Sequence, residues 1–281
     1  MRFAVTIPNF GPFADVRKLA VLAKEAEANG WHGFFLWDHI HWTWAPQQQV
    51  LDPWVALAAV AVSTERIRIG TMVTPVPRRR PWKLARETVT LDHLSGGRLI
   101  LGVGLGYPPE EEFSRLGEEP DDRARARRLD EGLAVLAGLW SGEPFSFEGE
   151  IYHVENVQFL PKPHQQPRIP IWVAGMWPAR APFRRAARWD GVVPMKVDLS
   201  TGELQLLETD DIEKIVAYVR HHREGQEPFD VVVGGDTPLD DPARARDIVS
   251  TYEAAGVTWL LSFEPDPEAL IARVRQGPPE G

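Results

Sequence analysis

The sequence contains no cysteine, which excludes disulfides, thiolate metal sites, iron–sulfur clusters and a cysteine nucleophile. Nor is there an apolar run near the roughly 18–20 residues that a membrane-spanning helix requires. The longest candidate is the stretch from Val55 to Val62. Positive charge is in deficit: a formal net charge of −9 argues against a general electrostatic grip on nucleic acid or an anionic membrane. No metal-ligand spacing links the histidines, and no hydrolase nucleophile elbow is present. The first residues read at once as a strand, without the tripartite layout of a signal peptide, so a cytoplasmic location is expected. A small-molecule ligand is the default that remains.

What is present is an ordinary globular balance, 43% hydrophobic and 25% charged over 281 residues, enough for a full-sized core. Short β-rich runs alternate with amphipathic helical stretches, which predicts parallel βα units. Strands are expected at Phe3–Pro8, Gly33–Asp38, Ile67–Thr74, Arg98–Gly106, Ile169–Ala174, Gly191–Met195, Phe229–Gly234 and Thr258–Phe263. Gly33–Asp38 is nearly all apolar, as strands buried on both faces are. Helices are expected between them, including Pro53–Ser63, Trp82–Leu94, Ala179–Arg188, Asp210–Glu224 and Pro242–Ala255. From about 107 to 167 the cadence breaks: a polar stretch, a long helix over Asp122–Trp140, a hairpin-like Phe145–Gly149 and a Pro-rich connector read as an insertion. Eight units in order predict a single (β/α)8 TIM barrel over 1–281, with an open doubly wound sheet as the alternative.

In such a barrel the chemistry lies at the C-terminal ends of the strands. Asp38-His39 falls there, and histidine is the side chain best suited to exchange protons near neutral pH; the alternative is a satisfied polar pair closing a strand. Trp42 and Trp44 on the following loop would wall a substrate pocket or simply pack as a lid, and Tyr107 after strand four is expected to join that pocket. Arg78-Arg79-Arg80 after strand three reads as a solvated charge run or as a receiver for an anionic ligand tail. Gly102-Val103-Gly104-Leu105-Gly106 is not a dinucleotide fingerprint, because Tyr107-Pro108-Pro109 follows where a helix N-terminus is needed. These glycines are expected instead to let a flat ring approach the backbone. Gly175-Met176-Trp177-Pro178, a glycine turn feeding a helix, is expected to cradle an anion or to be an ordinary βα turn. Asp92-His93, the same dipeptide as at 38–39, falls at the opposite, structural end.

Trp37-Asp38-His39, Leu91 to Arg98, Leu101 to Gly106, Leu129-Asp130-Glu131, Pro170 to Gly175 and Ala186 to Gly191 together resemble the luciferase-like flavin and deazaflavin-dependent oxidoreductases, over nearly the whole chain. The resemblance implies a TIM barrel with a non-prolyl cis peptide at Met72-Val73 that supports the cofactor ring. It implies ring contacts from Asp38, Met72, Val73, Thr74, Gly104 and Gly106, a phosphate grip at Ala174, Gly175, Met176 and Trp177, and proton exchange by His39 with Asp38; Arg79 or Arg80 is expected to help hold the anionic tail. The branch implied uses coenzyme F-420 (8-hydroxy-5-deazaflavin) for hydride transfer. The alternatives are an FMN-dependent monooxygenase served by a separate flavin reductase, and a non-catalytic flavin-binding protein. Family members are commonly homodimers. One departure stands out: the branch's sugar-phosphate dehydrogenases place an acid after the strand-four glycines, where this chain has Tyr107. They also place a Trp where this chain has Thr43, and both differences argue against glucose 6-phosphate as substrate.

Overall fold

The structure is a computed structural model that describes residues 1–41, 49–198 and 204–279. In chain order the elements are β1 (Arg2–Ile7), α1 (Val16–Ala28), β2 (Gly33–Leu36), α2 (Pro53–Ser63), β3 (Arg68–Pro75), α3 (Pro81–Leu94) and β4 (Leu99–Gly104). A short α4 (Pro109–Glu112), the long α5 (Asp122–Trp140) and the strands β5 (Phe145–Glu148) and β6 (His153–Val157) come next. The cadence resumes with β7 (Ile171–Trp177), α6 (Ala181–Ala186), β8 (Gly191–Val197), β9 (Leu204–Gln205), α7 (Thr209–His222), β10 (Asp230–Gly234), α8 (Pro242–Ala254), β11 (Trp259–Ser262) and α9 (Pro267–Gln276). Parallel pairing runs β1-β2-β3-β4-β7-β8, then β8 to β10, β10 to β11 and β11 back to β1, which closes an eight-stranded barrel. The expected fold is thereby borne out, and the open sheet is excluded.

Local chemistry sets the punctuation. Asp15, Asp52, Asp121, Asp241 and Asp266 each accept a backbone N–H from the first turn of the helix they precede; a cap of this kind contributes about 1 kcal/mol. Gly30 ends α1 at φ +86°, a conformation that other residues resist. Gly96 and Gly97 do the same after α3, where Asp92 accepts from the backbone and side chain of Gln165 and Arg98 donates to Ala61 O and Thr64 O of the α2 end. That stretch is structural. In the 107–167 segment, α5 packs on α3 and buries Leu129, Leu133 and Leu136 in the main core, so it stands in the outer helical layer. The terminal helix α9 went unforeseen, although Asp266-Pro267 is a cap followed by proline at the first helical position.

Two apolar layers result. The larger lies between strands and helices. A smaller one plugs the barrel with Ala4, Phe35, Ile100, Trp172, Val193, Val232, Trp259 and Leu261. The Trp172 ring lies 5.3 Å from Phe35 and 5.2 Å from Trp259. Half-buried Met72 and Ala174 pack on this plug. A filled barrel offers no channel, so a ligand is confined to the rim. No helix among the described residues is long and apolar enough to cross a membrane.

Candidate functional site

Asp38 follows β2, with its side chain 1% exposed. Its Oδ2 accepts from Thr74 Oγ1 at 2.9 Å and from the Trp54 indole N–H at 3.3 Å. Arg78 Nη2 donates to Oδ1 at 2.7 Å, and Arg79 Nη2 lies 2.8 Å from both oxygens. A buried carboxylate persists only when paired in this way. The arginine run therefore divides, contrary to both of its sequence readings. A 3-10 turn, Val76–Arg78, turns Arg78 and Arg79 inward onto Asp38, and Arg80 alone is exposed. Arg79 is thus committed to Asp38 rather than free to receive a tail, although its buried Nε–H meets no acceptor among the described residues.

His39 is held at its backbone by Asn9, whose side chain donates to His39 O at 2.8 Å and to Leu51 O at 2.6 Å. Its Nδ1 lies 2.9 Å from Oε1 of Glu112, a residue of α4 that is fully buried. The other oxygen of Glu112 accepts from Arg78 Nη1. Burial, followed by the nearby Arg78 charge, pushes the His39 imidazole down to about 4, with Asp38 opposing. The Glu112 carboxylate opposes as well, being only a hydrogen bond away. A ring shifted in this way is uncharged at neutral pH, and an ionised Glu112, able only to accept, would hold its proton on Nδ1 and leave the lone pair on Nε2.

Glu112 was missed. In one dimension Glu110-Glu111-Glu112 after two prolines looks like a solvated first helical turn, and nothing in spacing singles out the third acid. Its position also revises the argument made from Tyr107: an acid does reach the histidine, from position 112. Tyr107 itself is 47% exposed and does not line the cavity beside His39. That cavity, about 310 Å³, is walled by Asp38, His39, Arg78, Arg79 and Glu112 together with Ile40, Leu51, Leu116 and others. Trp42 and Trp44 lie outside the described residues.

The Met72-Val73 peptide is cis, as the resemblance implied, and the β3–β4 register shifts between Thr71 and Thr74. This bulge explains the β4 glycines better than an approaching ring does. A Cβ on Gly104 would lie 2.8 Å from Val73 Cγ2, and one on Gly102 would lie 2.2 Å from Thr71 O. Gly106 adopts φ +90° against Phe113 and Pro75. The space is filled by protein. Val73, Gly104 and Ala174 are nevertheless brought together, since Ala174 Cβ is 3.6 Å from the same Gly104 position.

Gly175, Met176 and Trp177 are strand residues paired with Pro194, Met195 and Lys196, not a turn. A side chain at 175 would meet Pro182 Cβ at 2.6 Å, so this glycine seats α6 on β7. The Trp177 indole donates to Asp211, which also binds Lys196 Nζ at 2.7 Å. Arg180 stacks 4.3 Å from the Trp177 ring and 4.9 Å from Tyr218. No group of three or more metal-ligating side chains occurs among the described residues. The rim instead fits a flat amphipathic ring. It offers the half-buried apolar surface of Met72, Val73 and Ala174, polar groups beside it, and the unmatched Arg79 N–H.

The chain belongs to the luciferase-like monooxygenase family, whose profile matches residues 1–256. An uncharacterized protein of Mycobacterium bovis is 29% identical over 276 residues, covering 90% of each chain. An F420-dependent glucose-6-phosphate dehydrogenase of Nakamurella multipartita is 33% identical over 184 residues, 63% of this chain and 50% of that one. Among solved structures, an F420-dependent secondary alcohol dehydrogenase in complex with an F420-acetone adduct superposes with a TM-score of 0.78 at 17% identity, covering 96% of each chain. The FMN-bound oxygenating constituent of 3,6-diketocamphane monooxygenase from Pseudomonas putida gives 0.75 at 15% identity, covering 98% of this chain and 96% of the other.

Proposed function

We propose that this luciferase-like oxidoreductase transfers hydride between coenzyme F-420 and a small organic substrate, with His39 exchanging the substrate proton. The observation that carries the reading is an imidazole whose Nδ1 meets a buried carboxylate, on the wall of a cavity at the barrel rim. Met72, Val73 and Ala174 would underlie the ring, and Asp38 with Thr74 would border it. Gly175, Met176 and Trp177 would flank the phosphate-bearing tail. Arg180, exposed beside Trp177, replaces Arg79 as the cation for that tail. When bound, the deazaflavin supplies a ring carbon that takes or gives hydride. The sequence similarity to F420-dependent dehydrogenases supports this cofactor over FMN. The test is titration of the purified protein with both: submicromolar retention of FMN with no binding of F-420 would overturn the assignment in favour of the monooxygenase.

The direction of the His39 shift fixes a pH dependence. A base works only when deprotonated, so in the oxidising direction kcat/KM is expected to stay level from pH 8 to about pH 5 and to fall as pH drops through about 4. An acid limb centred between 6 and 7 contradicts the lowered pKa. The cavity also bears on substrate charge. Arg78 and Arg79 are neutralised by Asp38 and Glu112, while Asp52 and Glu118 add negative charge to the same walls. Placing like charges together costs several kcal/mol, so glucose 6-phosphate should be turned over roughly 100-fold less efficiently than an uncharged alcohol of similar size. Equal kcat/KM values for the two refute the charge argument.

We also infer that the chain pairs with a second copy through α2, which has no charged residue, leaves Val55 67% and Val62 68% exposed on its outer side and packs on α1. A helix apolar all round is normally covered. The double substitution Val55→Asp and Val62→Asp is expected to halve the mass measured by light scattering.

A further inference from the structure

Three rim loops that are distant in the chain meet at one guanidinium. Arg78, its side chain 5% exposed, donates from Nη2 to the backbone oxygen and Oδ1 of Asp38, both at 2.7 Å, and from Nη1 to Glu112 Oε2. It thereby ties the segment after β2 to the segment after β4. The helix that carries Glu112 is four residues long and has no side-chain cap, so it does little to hold itself in place. Inside the protein it is anchored by buried Phe113, which packs under Arg125, and by the ion pair to Arg78, with Glu111 pairing to Arg115 on its other side.

We propose that Arg78 is the positioning residue of this site: by gripping Asp38 and Glu112 together it sets Glu112 Oε1 on Nδ1 of His39, which holds the imidazole in the tautomer with its lone pair on Nε2. The inference rests on the reading of His39 as the proton-exchanging group. Arg78 acts in two ways, one on the tautomer of the ring and one on its charge. Its charge keeps Glu112 ionised although fully buried, so that Glu112 accepts from His39 and does not donate to it. The same charge disfavours the imidazolium, so the ring stays a base. Arg79 does not replace it, because its contacts are Asp38 and, at 4.0 Å, Glu87. Lysine would not replace it either, since a point charge does not span two carboxylates and a carbonyl.

The other ionisable groups around His39 are accounted for. Asp38 favours the protonated ring and is itself matched by two arginines. His41 lies 3.5 Å from Glu111, which also pairs with Arg115. Asp52 and Glu118 stand on the cavity wall, and Glu118 acts on Arg78. Among these contacts, Arg78 alone joins the acid that touches Nδ1 to the rest of the rim.

The test is nitrogen-15 NMR of the imidazoles in the full chain, with the His39 signals assigned by their loss in His39→Gln. The wild type should show the Nδ1–H tautomer. In Arg78→Lys the charge survives but the span is lost, so the Nε2–H tautomer should appear and kcat should fall about 10- to 100-fold with KM changed less than threefold. In Arg78→Met the His39 midpoint should rise by more than one pH unit. A dominant Nε2–H form in the wild type, or an unmoved midpoint in Arg78→Met, overturns the proposal. Should Arg78→Met fail to fold, the tautomer ratio in Arg78→Lys decides alone, and an unchanged ratio overturns it. If His39→Ala keeps full turnover while the NMR results are as expected, the role of His39 in catalysis falls and the positioning by Arg78 stands.

Discussion

Replacing His39 by alanine should lower kcat by about 10²- to 10⁴-fold, the range that a positioned general acid or base contributes. The protein should remain folded. The side chain is 17% exposed and leans on Phe10 and Trp37 at ring distances of 5.7 and 5.8 Å. Removing it leaves Glu112 still paired with Arg78. A stability loss of about 1–2 kcal/mol is therefore expected, which moves the melting temperature by only a few degrees. Cofactor affinity should change less than kcat, because the proposed ring surface is built from Met72, Val73 and Ala174. Steady-state kinetics with F-420, together with a binding titration, separates the possibilities. Turnover equal to wild type removes His39 from the chemistry. If the wild-type protein binds the cofactor but turns over no substrate in a broad panel, the non-catalytic reading is left standing.

Asp38→Ala should show its largest effect on stability. The Asp38 carboxylate, 1% exposed, is the contact shared by Arg78 and Arg79, whose side chains are 5% and 18% exposed. Deleting it leaves two guanidinium groups with one fewer partner in a poorly solvated place, unpairs the Trp54 indole and leaves Thr74 with Thr71 alone. Breaking a buried ion pair from one side costs about 3–5 kcal/mol, far more than the roughly 0–1 kcal/mol of a surface pair. At about 2–4 °C per kcal/mol, the melting temperature should drop on the order of 10 °C. Asp38→Asn keeps the shape and two hydrogen-bonding groups, so it should fall between wild type and alanine. A thermal melt of the three proteins decides, and a shift below about 3 °C for alanine would mean that water, not Asp38, satisfies the arginines.

Much of the barrel is legible in one dimension because its determinants are local. Pro53–Ser63 and Asp122–Trp140 match their expected bounds, since an Asp cap and a change of period mark each one. The ends of β7 and β8 were placed too early, because pairing between neighbours, not composition, carries Trp177 and Val197 into the sheet. The β4 glycines were visible, but their reason was not. What they accommodate is Val73 and Thr71 O on another strand.

The two Asp-His dipeptides show where the boundary lies. Strand order alone assigns Asp38-His39 to the chemical rim and Asp92-His93 to the structural end, because direction along a parallel barrel follows from the alternation of elements. Which groups meet His39 does not follow from it. Glu112 is 73 residues away in sequence, Arg78 lies between the two, 34 residues before Glu112, and no period or cap relates them. Chain order thus determined the fold, the end of the barrel and the histidine. Only closure of the barrel, which sets the loops after β2, β3 and β4 side by side, decided that two arginines turn inward and that a buried glutamate meets His39. A charge is stabilised by what lies within a few ångströms, and that neighbourhood is a property of the closed barrel, not of sequence spacing.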